Sequence, residues 1–239
     1  MAACAAIGRA RAQGSQVFAL YLTHGCVARD VMWPWAQKSY EATVARRRKE
    51  GEEAARVLGI VPVGWSSRPA RHLWRELPEV CREIEAAIEK HAIDQLWMPA
   101  YEGGNADHDA LNAVASRFAP KTSALEFAEY NFLGGKAHSH EFPRPNGGEQ
   151  TIMLTPEERQ KKHAALAIYQ SEQCNLGYVR TEREVFRPLA TYDYSRPPHD
   201  GTLWYARFQW VPLRHPRVDF TKPREVCGAI TDFLYNHPT

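Results

Sequence analysis

The order of hydrophobic patterns along the chain predicts an α/β fold: a Rossmann-like, mostly parallel sheet with helices on both faces. Through residue 133, short apolar runs typical of buried strands alternate with longer helical patterns. The chain has 239 residues, 44% of them hydrophobic, which is enough for one substantial core. We therefore predict a single domain over residues 1–239, with an α/β core at 1–133 and a loop, a helix and a C-terminal cover at 134–239.

The individual elements of the core follow from periodicity and from their end signals. Gly14 and Gly59 each stand directly after a helical pattern, where a left-handed residue commonly ends a helix. Val80, Ile84 and Ile88 recur at four-residue steps and give the third helix one apolar face. Helical patterns cover residues 2–13, 39–58, 77–91 and 110–118, and strand patterns cover residues 17–22, 60–65, 96–99 and 124–129.

The second half of the chain is less regular. Residues 134–150 are rich in glycine, proline and polar side chains and are predicted to form a loop. Thr155, Pro156 and Glu158 form a capping-box signature, which predicts a helix that continues to about Gln173. The remainder is rich in proline, tryptophan, tyrosine and arginine, and we expect irregular structure and short strands there.

Composition excludes several functional classes. With 30 basic and 28 acidic residues the net charge is +2, which gives no general attraction to nucleic acid or anionic membranes. No apolar run approaches the roughly 20 residues of a membrane span. The five cysteines are scattered and form no CxxC pair, so we predict neither a disulfide framework nor a cysteine zinc site, and a cytoplasmic location. An α/β transferase is an alternative class, but its glycine-rich turn after the first strand is not visible.

One segment combines a strand end, a glycine turn and an Asp-His pair. Glu102-Gly103-Gly104-Asn105-Ala106-Asp107-His108 follows an apolar run and precedes a helical pattern, at the carboxyl edge of the predicted sheet. An imidazole there can bind a metal ion while a neighbouring carboxylate orients it. The alternative is that Asp107 caps the helix and His108 is polar surface.

Several fragments, taken in order, resemble the LmbE-like (PIG-L) family of zinc-dependent N-acetylglucosamine deacetylases. The matches extend from residue 1 to about residue 187, and their order is more specific than any one of them. They comprise a small-residue helix at 1–10, a strand and turn ending Leu22-Thr23-His24-Gly25, the pattern RxxExxxAxxxLG from Arg47 to Gly59, Gly104-Asn105-Ala106-Asp107-His108 in place of a GHPDH-like motif, and the pattern KxxALxxYxS from Lys162 to Ser171, with Glu172 where the family has glutamine.

The resemblance implies a hydrolase that removes an acetyl group from a small-molecule amino-sugar conjugate of the N-acetylglucosamine type. In this comparison His108 is the third zinc ligand and Asp107 the catalytic-site carboxylate that fixes it. Asn105 occupies the catalytic position of a histidine that polarises the amide. Arg47 is expected to reach a substrate hydroxyl or phosphate, the alternative being a solvated helix face, and Thr23 to line the substrate pocket.

Departures from the family pattern weaken the enzymatic prediction. The AHPDDE segment, which supplies two zinc ligands and the general base, is absent; Met1 aligns directly after it, so the first strand is expected to be missing and Met1 to be internal to a longer protein. Asn105 replaces a histidine, and Ser67 stands near a sugar-binding aspartate. We expect zinc binding to this chain to be weak or absent. A degenerate carbohydrate-binding or accessory protein without turnover is the alternative, and the oligomeric state, a homo-oligomer included, stays open.

Overall fold

Helices and strands alternate along the part of the chain that the computed structural model describes, residues 2–177, 179–213 and 215–237. Met1, the subject of one prediction above, lies outside this part. The helices are α1 (Cys4–Ala12), α2 (Tyr40–Leu58), α3 (Leu77–His91), α4 (Ala106–Ser116), α5 (Pro156–Ile168) and α6 (Pro223–Asn236). The strands are β1 (Phe18–Tyr21), β2 (Val61–Trp65), β3 (Gln95–Pro99), β4 (Ser123–Phe127), β5 (Tyr130–Asn131), β6 (His138–Ser139), β7 (Gln150–Met153) and β8 (Arg183–Pro188).

The predicted α/β class is confirmed, and local signals place most element ends. Gly59 ends α2 with φ 68°, the left-handed conformation that glycine adopts without a Cβ penalty. Thr155 caps α5 through its hydroxyl, and Glu158 returns a bond to the Thr155 amide, which completes the predicted capping box. Strands β1 and β2 are parallel, as are β3 and β4, but the pairs β4–β8 and β5–β6 are antiparallel. The strand pairing is therefore mixed rather than mostly parallel.

Two predictions for the second half are wrong in detail. α5 ends at Ile168, and the predicted continuation to Gln173 is a separate 3₁₀ turn, Gln170–Asn175. The C-terminal region contains the 14-residue helix α6 rather than only irregular structure and short strands. Val226, Ile230 and Phe233 are buried at three- and four-residue steps, so the helical period was present in the sequence.

The chain divides into two compact units, each built from two separate segments. Unit 1 comprises Met1–Ala70 and Thr151–Glu184, and unit 2 comprises Arg71–Gln150 and Val185–Thr239. A single domain over residues 1–239 stays a prediction. None of the helices in the described residues combines the length and apolar character needed to cross a bilayer.

Unit 1 contains the parallel pair β1–β2, the helices α1, α2 and α5, and a buried carboxylate. Phe18 and Tyr21 of β1 are in register with Val61 and Trp65 of β2. The carboxylate of Glu184, at the start of β8, is fully buried and accepts hydrogen bonds from backbone amides in the first turn of α1. The beginning of β8 also runs beside β7.

In unit 2, β3 and β4 are parallel with an unbroken register from Gln95↔Ser123 to Pro99↔Phe127. The residues after Pro99 and after Phe127 therefore leave the sheet at the same edge. β8 pairs antiparallel with β4, so that Phe186 faces Phe127 in the ladder. Beneath these strands lies a small core of Ala100, Ala128, Phe142 and Val185.

Candidate functional site

Unit 1 contains a cavity of about 600 Å³. Its walls come from the end of β1, the inner face of α2, the end of β2 and the turn after α5. Thr23, Arg47 and Ser67, which were named from the sequence, line it together with Tyr169, the tyrosine of the pattern KxxALxxYxS. A cavity of this size is in the range of small-molecule sites in proteins.

One wall of the cavity is aromatic. The rings of Tyr21 and Trp65 stack in parallel with centroids 3.8 Å apart and an interplanar angle of 4°. The guanidinium of Arg48 lies 5.5 Å from the centroid of the Trp65 ring. Trp65 fits only because residue 51 is glycine: a Cβ on Gly51 would come within 2.7 Å of Cη2 of Trp65. The helix α2 thus packs closely enough to hold the indole in place.

Arg47 is held by the protein on three sides. Its Nε donates to Oγ of Ser171 (3.0 Å), its Nη1 donates to the carbonyl of Gly25 (3.2 Å), and its Nη2 pairs with the carboxylate of Glu172. The Arg47 side chain is only 12% exposed, so the alternative of a solvated helix face is wrong. The guanidinium is preorganised at the cavity wall with a carboxylate already beside it.

Glu50 connects the same turn to α2. Its carboxylate accepts from the Ser171 backbone amide (3.0 Å) and from the Ser171 hydroxyl. Burial raises the pKa of Glu50, but these two bonds and the charges of Arg46 and Arg47 outweigh it and lower the pKa below its ordinary value. The two quoted patterns, RxxE on α2 and YxS after α5, therefore meet in one ionised network beside the cavity.

His24 is a cavity residue that the sequence prediction missed. Its Nδ1 accepts from the Cys26 amide (3.2 Å), and its Nε2 lies 3.1 Å from the Tyr40 hydroxyl. Burial lowers the pKa of His24, which favours the neutral ring. With Nδ1 as acceptor, Nε2 carries the proton and donates to the Tyr40 oxygen, so the Tyr40 hydroxyl proton is available to a ligand. The signal was its place in the turn after β1, next to Thr23.

The loop between β3 and α4 in unit 2 holds the predicted catalytic and metal-binding residues. Asn105 is the N-cap of α4, and its side-chain oxygen accepts from the Asp107 amide (2.9 Å). The alternative that Asp107 caps the helix is therefore wrong. The carboxylate of Asp107 is buried and accepts from the amides of Arg71 (2.6 Å) and Leu73 (3.0 Å). Burial, only partly offset by these bonds, raises the pKa of Asp107 to about 6.

The structure corrects the predicted partner of His108. Glu129, and not Asp107, provides the carboxylate that faces the ring: Nδ1 of His108 lies 3.1 Å from Oε2 of Glu129. Burial lowers the pKa of His108, but the charge of Glu129 outweighs it and raises the pKa above its ordinary value. Burial likewise raises the pKa of Glu129, but the charge of His108 lowers it to about 2. Each partner therefore favours the charged form of the other.

Two further carboxyl groups shape this loop. Asp109 accepts from the amides of Glu102 (3.1 Å) and Gly103 (3.0 Å), and burial raises its pKa to about 7. Oε1 of Glu102 accepts from the amides of Glu129 and Tyr130, which ties the two strand ends together. Burial raises the pKa of the fully enclosed Glu102 well above its ordinary value. The loop is thus fixed by carboxyl groups bonded to backbone amides.

His108 has one ring nitrogen against a carboxylate, as zinc-bound histidines commonly do. A catalytic zinc normally takes three protein ligands. Within residues 2–177, 179–213 and 215–237, no three His, Cys, Asp or Glu side chains are grouped closely enough to hold a metal ion. The donor set described here therefore does not fit a catalytic zinc site.

Comparison with known proteins assigns the first half of the sequence to a family. Residues 1–119 match the family model described as PIG-L, GlcNAc-PI de-N-acetylase. Through these residues the chain belongs to the PIG-L family. None of the curated proteins compared with the sequence matches it.

Solved structures of deacetylases share the fold. The A40926 pseudoaglycone deacetylase Dbv21 superposes with a TM-score of 0.59 at 16% identity, over 80% of this chain and 93% of that protein. The complex of a deacetylase with teicoplanin, from the teicoplanin biosynthesis pathway, gives 0.60 at 16% identity, over 80% and 93%. The zinc-inhibited form of teicoplanin deacetylase Orf2 gives 0.58 at 17% identity, over 79% and 92%. At such identities the likeness concerns the fold.

Proposed function

We propose that this PIG-L family protein binds an N-acetylglucosamine-type sugar conjugate in the cavity of unit 1 and acts on it as a deacetylase. The main support is the convergence of the two family patterns, RxxE and YxS, on one cavity of about 600 Å³. Dbv21 is described as a deacetylase of the A40926 pseudoaglycone, and a second deacetylase is described in complex with teicoplanin; both descriptions support a conjugate as the ligand.

The chemistry of the cavity walls suits a sugar. Trp65 and Tyr21 give the cavity an aromatic wall that supplies apolar contact for the C–H groups of a pyranose. Thr23 and Tyr40 supply hydroxyl groups for ring hydroxyls or the acetamido oxygen. In this proposal Arg47 orients the ligand from the side wall, with Ser171 holding its guanidinium.

The residues of unit 2 have a different role in this proposal. Asp107 acts as a positioning residue, because both of its oxygens accept backbone amides that hold the 71–73 segment against the start of α4. His108 is the candidate ligand or proton carrier, with Glu129 fixing its ring. Zinc would act as a Lewis acid and activate water when bound in a complete site. No step is assigned to zinc because a single histidine does not make such a site.

Binding without turnover is a second candidate. Two observations favour it: His108 lacks grouped metal ligands within the described residues, and the side-chain oxygen of Asn105 is occupied as the cap of α4. A chain with these properties retains the cavity while lacking the means to activate water. Zinc is then expected to bind weakly, because it must displace a proton from His108, and Glu129 raises the pKa of that ring.

Parallel binding and turnover measurements separate the two candidates. N-acetylglucosamine and a β-alkyl N-acetylglucosaminide are titrated calorimetrically, and primary-amine release is followed with and without added zinc and with chelator. Saturable sugar binding with zinc-dependent amine release supports the deacetylase. Sugar binding without release supports the binding protein. Absence of sugar binding in a folded preparation overturns both. The variant Arg47→Met, which keeps side-chain length without the charged fork, is expected to weaken sugar binding about tenfold.

A further inference from the structure

The basic run at residues 46–48 borders the cavity, yet each of its guanidiniums has its own carboxylate. Arg46 pairs with Glu50 (3.2 Å) and Arg48 with Glu52 (2.9 Å), both one helical turn away on α2. Arg47 pairs with Glu172, which comes from the 3₁₀ turn after α5. This third pair is the long-range one, since 125 residues separate its members.

The Arg47–Glu172 pair is also the one best shielded from solvent. The side chains are 12% and 25% exposed, whereas those of Arg48 and Glu52 are 57% and 47% exposed. Shielded charges interact more strongly and are less screened by salt than exposed ones. The charge of Arg47 is therefore the one that would dominate the cavity, and Glu172, together with Glu50, offsets it.

The other charged groups around the cavity do not restore a positive field. Glu50 lies 3.6 Å from Nε of Arg47, and its lowered pKa keeps it ionised. Glu41 adds a carboxylate to the lining. Burial lowers the pKa of His24, so its ring does not contribute a charge at neutral pH. Glu172 and Glu50 act through Arg47, which lines the cavity: a phosphate that reaches this guanidinium would find two carboxylates already paired with it.

We propose that Glu172 determines the charge of the ligand, so that the cavity accepts an uncharged N-acetylated amino sugar and disfavours one bearing a phosphate. This inference rests on the proposed function for the identity of the sugar. The part that concerns charge stands on the pairing alone. Arg47 then serves a sugar hydroxyl through its remaining donor capacity, and does not form the bidentate phosphate clamp that an unpaired guanidinium offers.

The test compares three ligands on the full chain and on Glu172→Gln, which keeps size and hydrogen bonding but removes the charge. Ligand-observed NMR gives affinities for N-acetylglucosamine, N-acetylglucosamine 1-phosphate and inorganic phosphate. We expect Glu172→Gln to bind the sugar phosphate about tenfold more tightly than the wild type does, the order expected for one unit charge a few ångströms away. Affinity for the neutral sugar should change less than about twofold, and high salt should reduce the gain only in part, because the Arg47–Glu172 pair is shielded.

Glu53→Gln is the matched control, because the carboxylate of Glu53 makes an exposed pair with Arg56 and not with the cavity-lining Arg47. It should leave all three affinities unchanged. Glu172→Ala is the second variant, for use if thermal melting shows that Glu172→Gln is destabilised. It should show the same gain. Equal affinity changes for charged and neutral ligands, or a wild type that already prefers the sugar phosphate, overturn the inference. A gain for inorganic phosphate without any sugar binding supports the role of Glu172 and overturns the proposed function.

Discussion

Replacing Glu184 by glutamine is expected to destabilise unit 1 strongly. The Glu184 carboxylate accepts from the amides of Ala5 (3.1 Å) and Ala6 (3.0 Å) and lies 3.2 Å from the ammonium of Lys162. The side chains of Glu184 and Lys162 are both 0% exposed. The N-cap residue of α1, Ala3, makes no side-chain cap bond, and the first turn of α1 holds no acidic residue, so Glu184 supplies the negative charge that this helix end favours.

The magnitude follows from the ammonium that the substitution leaves behind. Removing one partner of a buried ion pair costs about 3–5 kcal/mol, because an uncompensated charge remains in a medium of low polarity. Glutamine still accepts one amide but loses the charge-assisted part of those bonds. For a chain of this length each kcal/mol lowers the melting temperature by roughly 2–4 °C, so the expected loss is roughly 6–20 °C.

Thermal and urea denaturation of Glu184→Gln, Lys162→Met and the double variant provide the measurement. The double variant should recover much of the loss, because it removes the orphaned charge together with its partner. The control Glu53→Gln removes an exposed pair and should leave the melting temperature nearly unchanged. If Glu184→Gln is as stable as this control, or if the single effects simply add, the reasoning about the buried pair is refuted.

Three further predictions concern the cavity wall and the α4 loop. Gly51→Ala should destabilise the protein by up to about 2 kcal/mol and change the fluorescence of Trp65, because overpacking at 2.7 Å costs about 1–3 kcal/mol against a helix-propensity gain of about 1 kcal/mol; a stabilised variant would contradict it. Asn105→Ala should cost about 1 kcal/mol in urea denaturation through loss of the α4 cap, and Asn105→Asp should restore it. Glu129→Gln should lower the pKa of His108 in an NMR titration, since Glu129 is what raises it. In the wild type the contribution of this pair to folding stability is complete below the ordinary histidine pKa and is lost as pH rises through the raised value. An unchanged pKa of His108 in the variant would show that the pair does not form.

Much of the fold could be predicted from local signals. The residues 77–91 were predicted as a helix, and α3 has these bounds, because one amphipathic face and a following left-handed residue define it. The capping box at Thr155 placed the start of α5. The continuation of α5 was wrong because Tyr169 leaves helical backbone geometry where its side chain joins the cavity wall. The helix α6 was missed because aromatic and proline-rich neighbours obscured its regular period.

A site residue could be predicted only where a pattern in its own stretch of sequence identifies it. Arg47 and Thr23 were singled out by pattern, and both line the cavity. The partner of His108 was wrongly assigned to its neighbour Asp107, because sequence adjacency does not show which carboxylate faces a ring. Glu129 becomes the partner through the register of β3 and β4, which brings their carboxyl ends to one edge. A carboxylate directly after the second of two parallel strands is the signal that could have identified it.

The most direct test of the account is the indole N–H spectrum of the tryptophans during titration with N-acetylglucosamine. Trp65 lines the proposed cavity, whereas the indole of Trp97 in unit 2 donates to Gln95. We predict a saturable shift of the Trp65 indole signal, with the Trp97 signal unmoved, and saturation at about tenfold higher sugar concentration in Arg47→Met. Saturable shifts confined to tryptophans outside the cavity, or none at all in the folded protein, would contradict it.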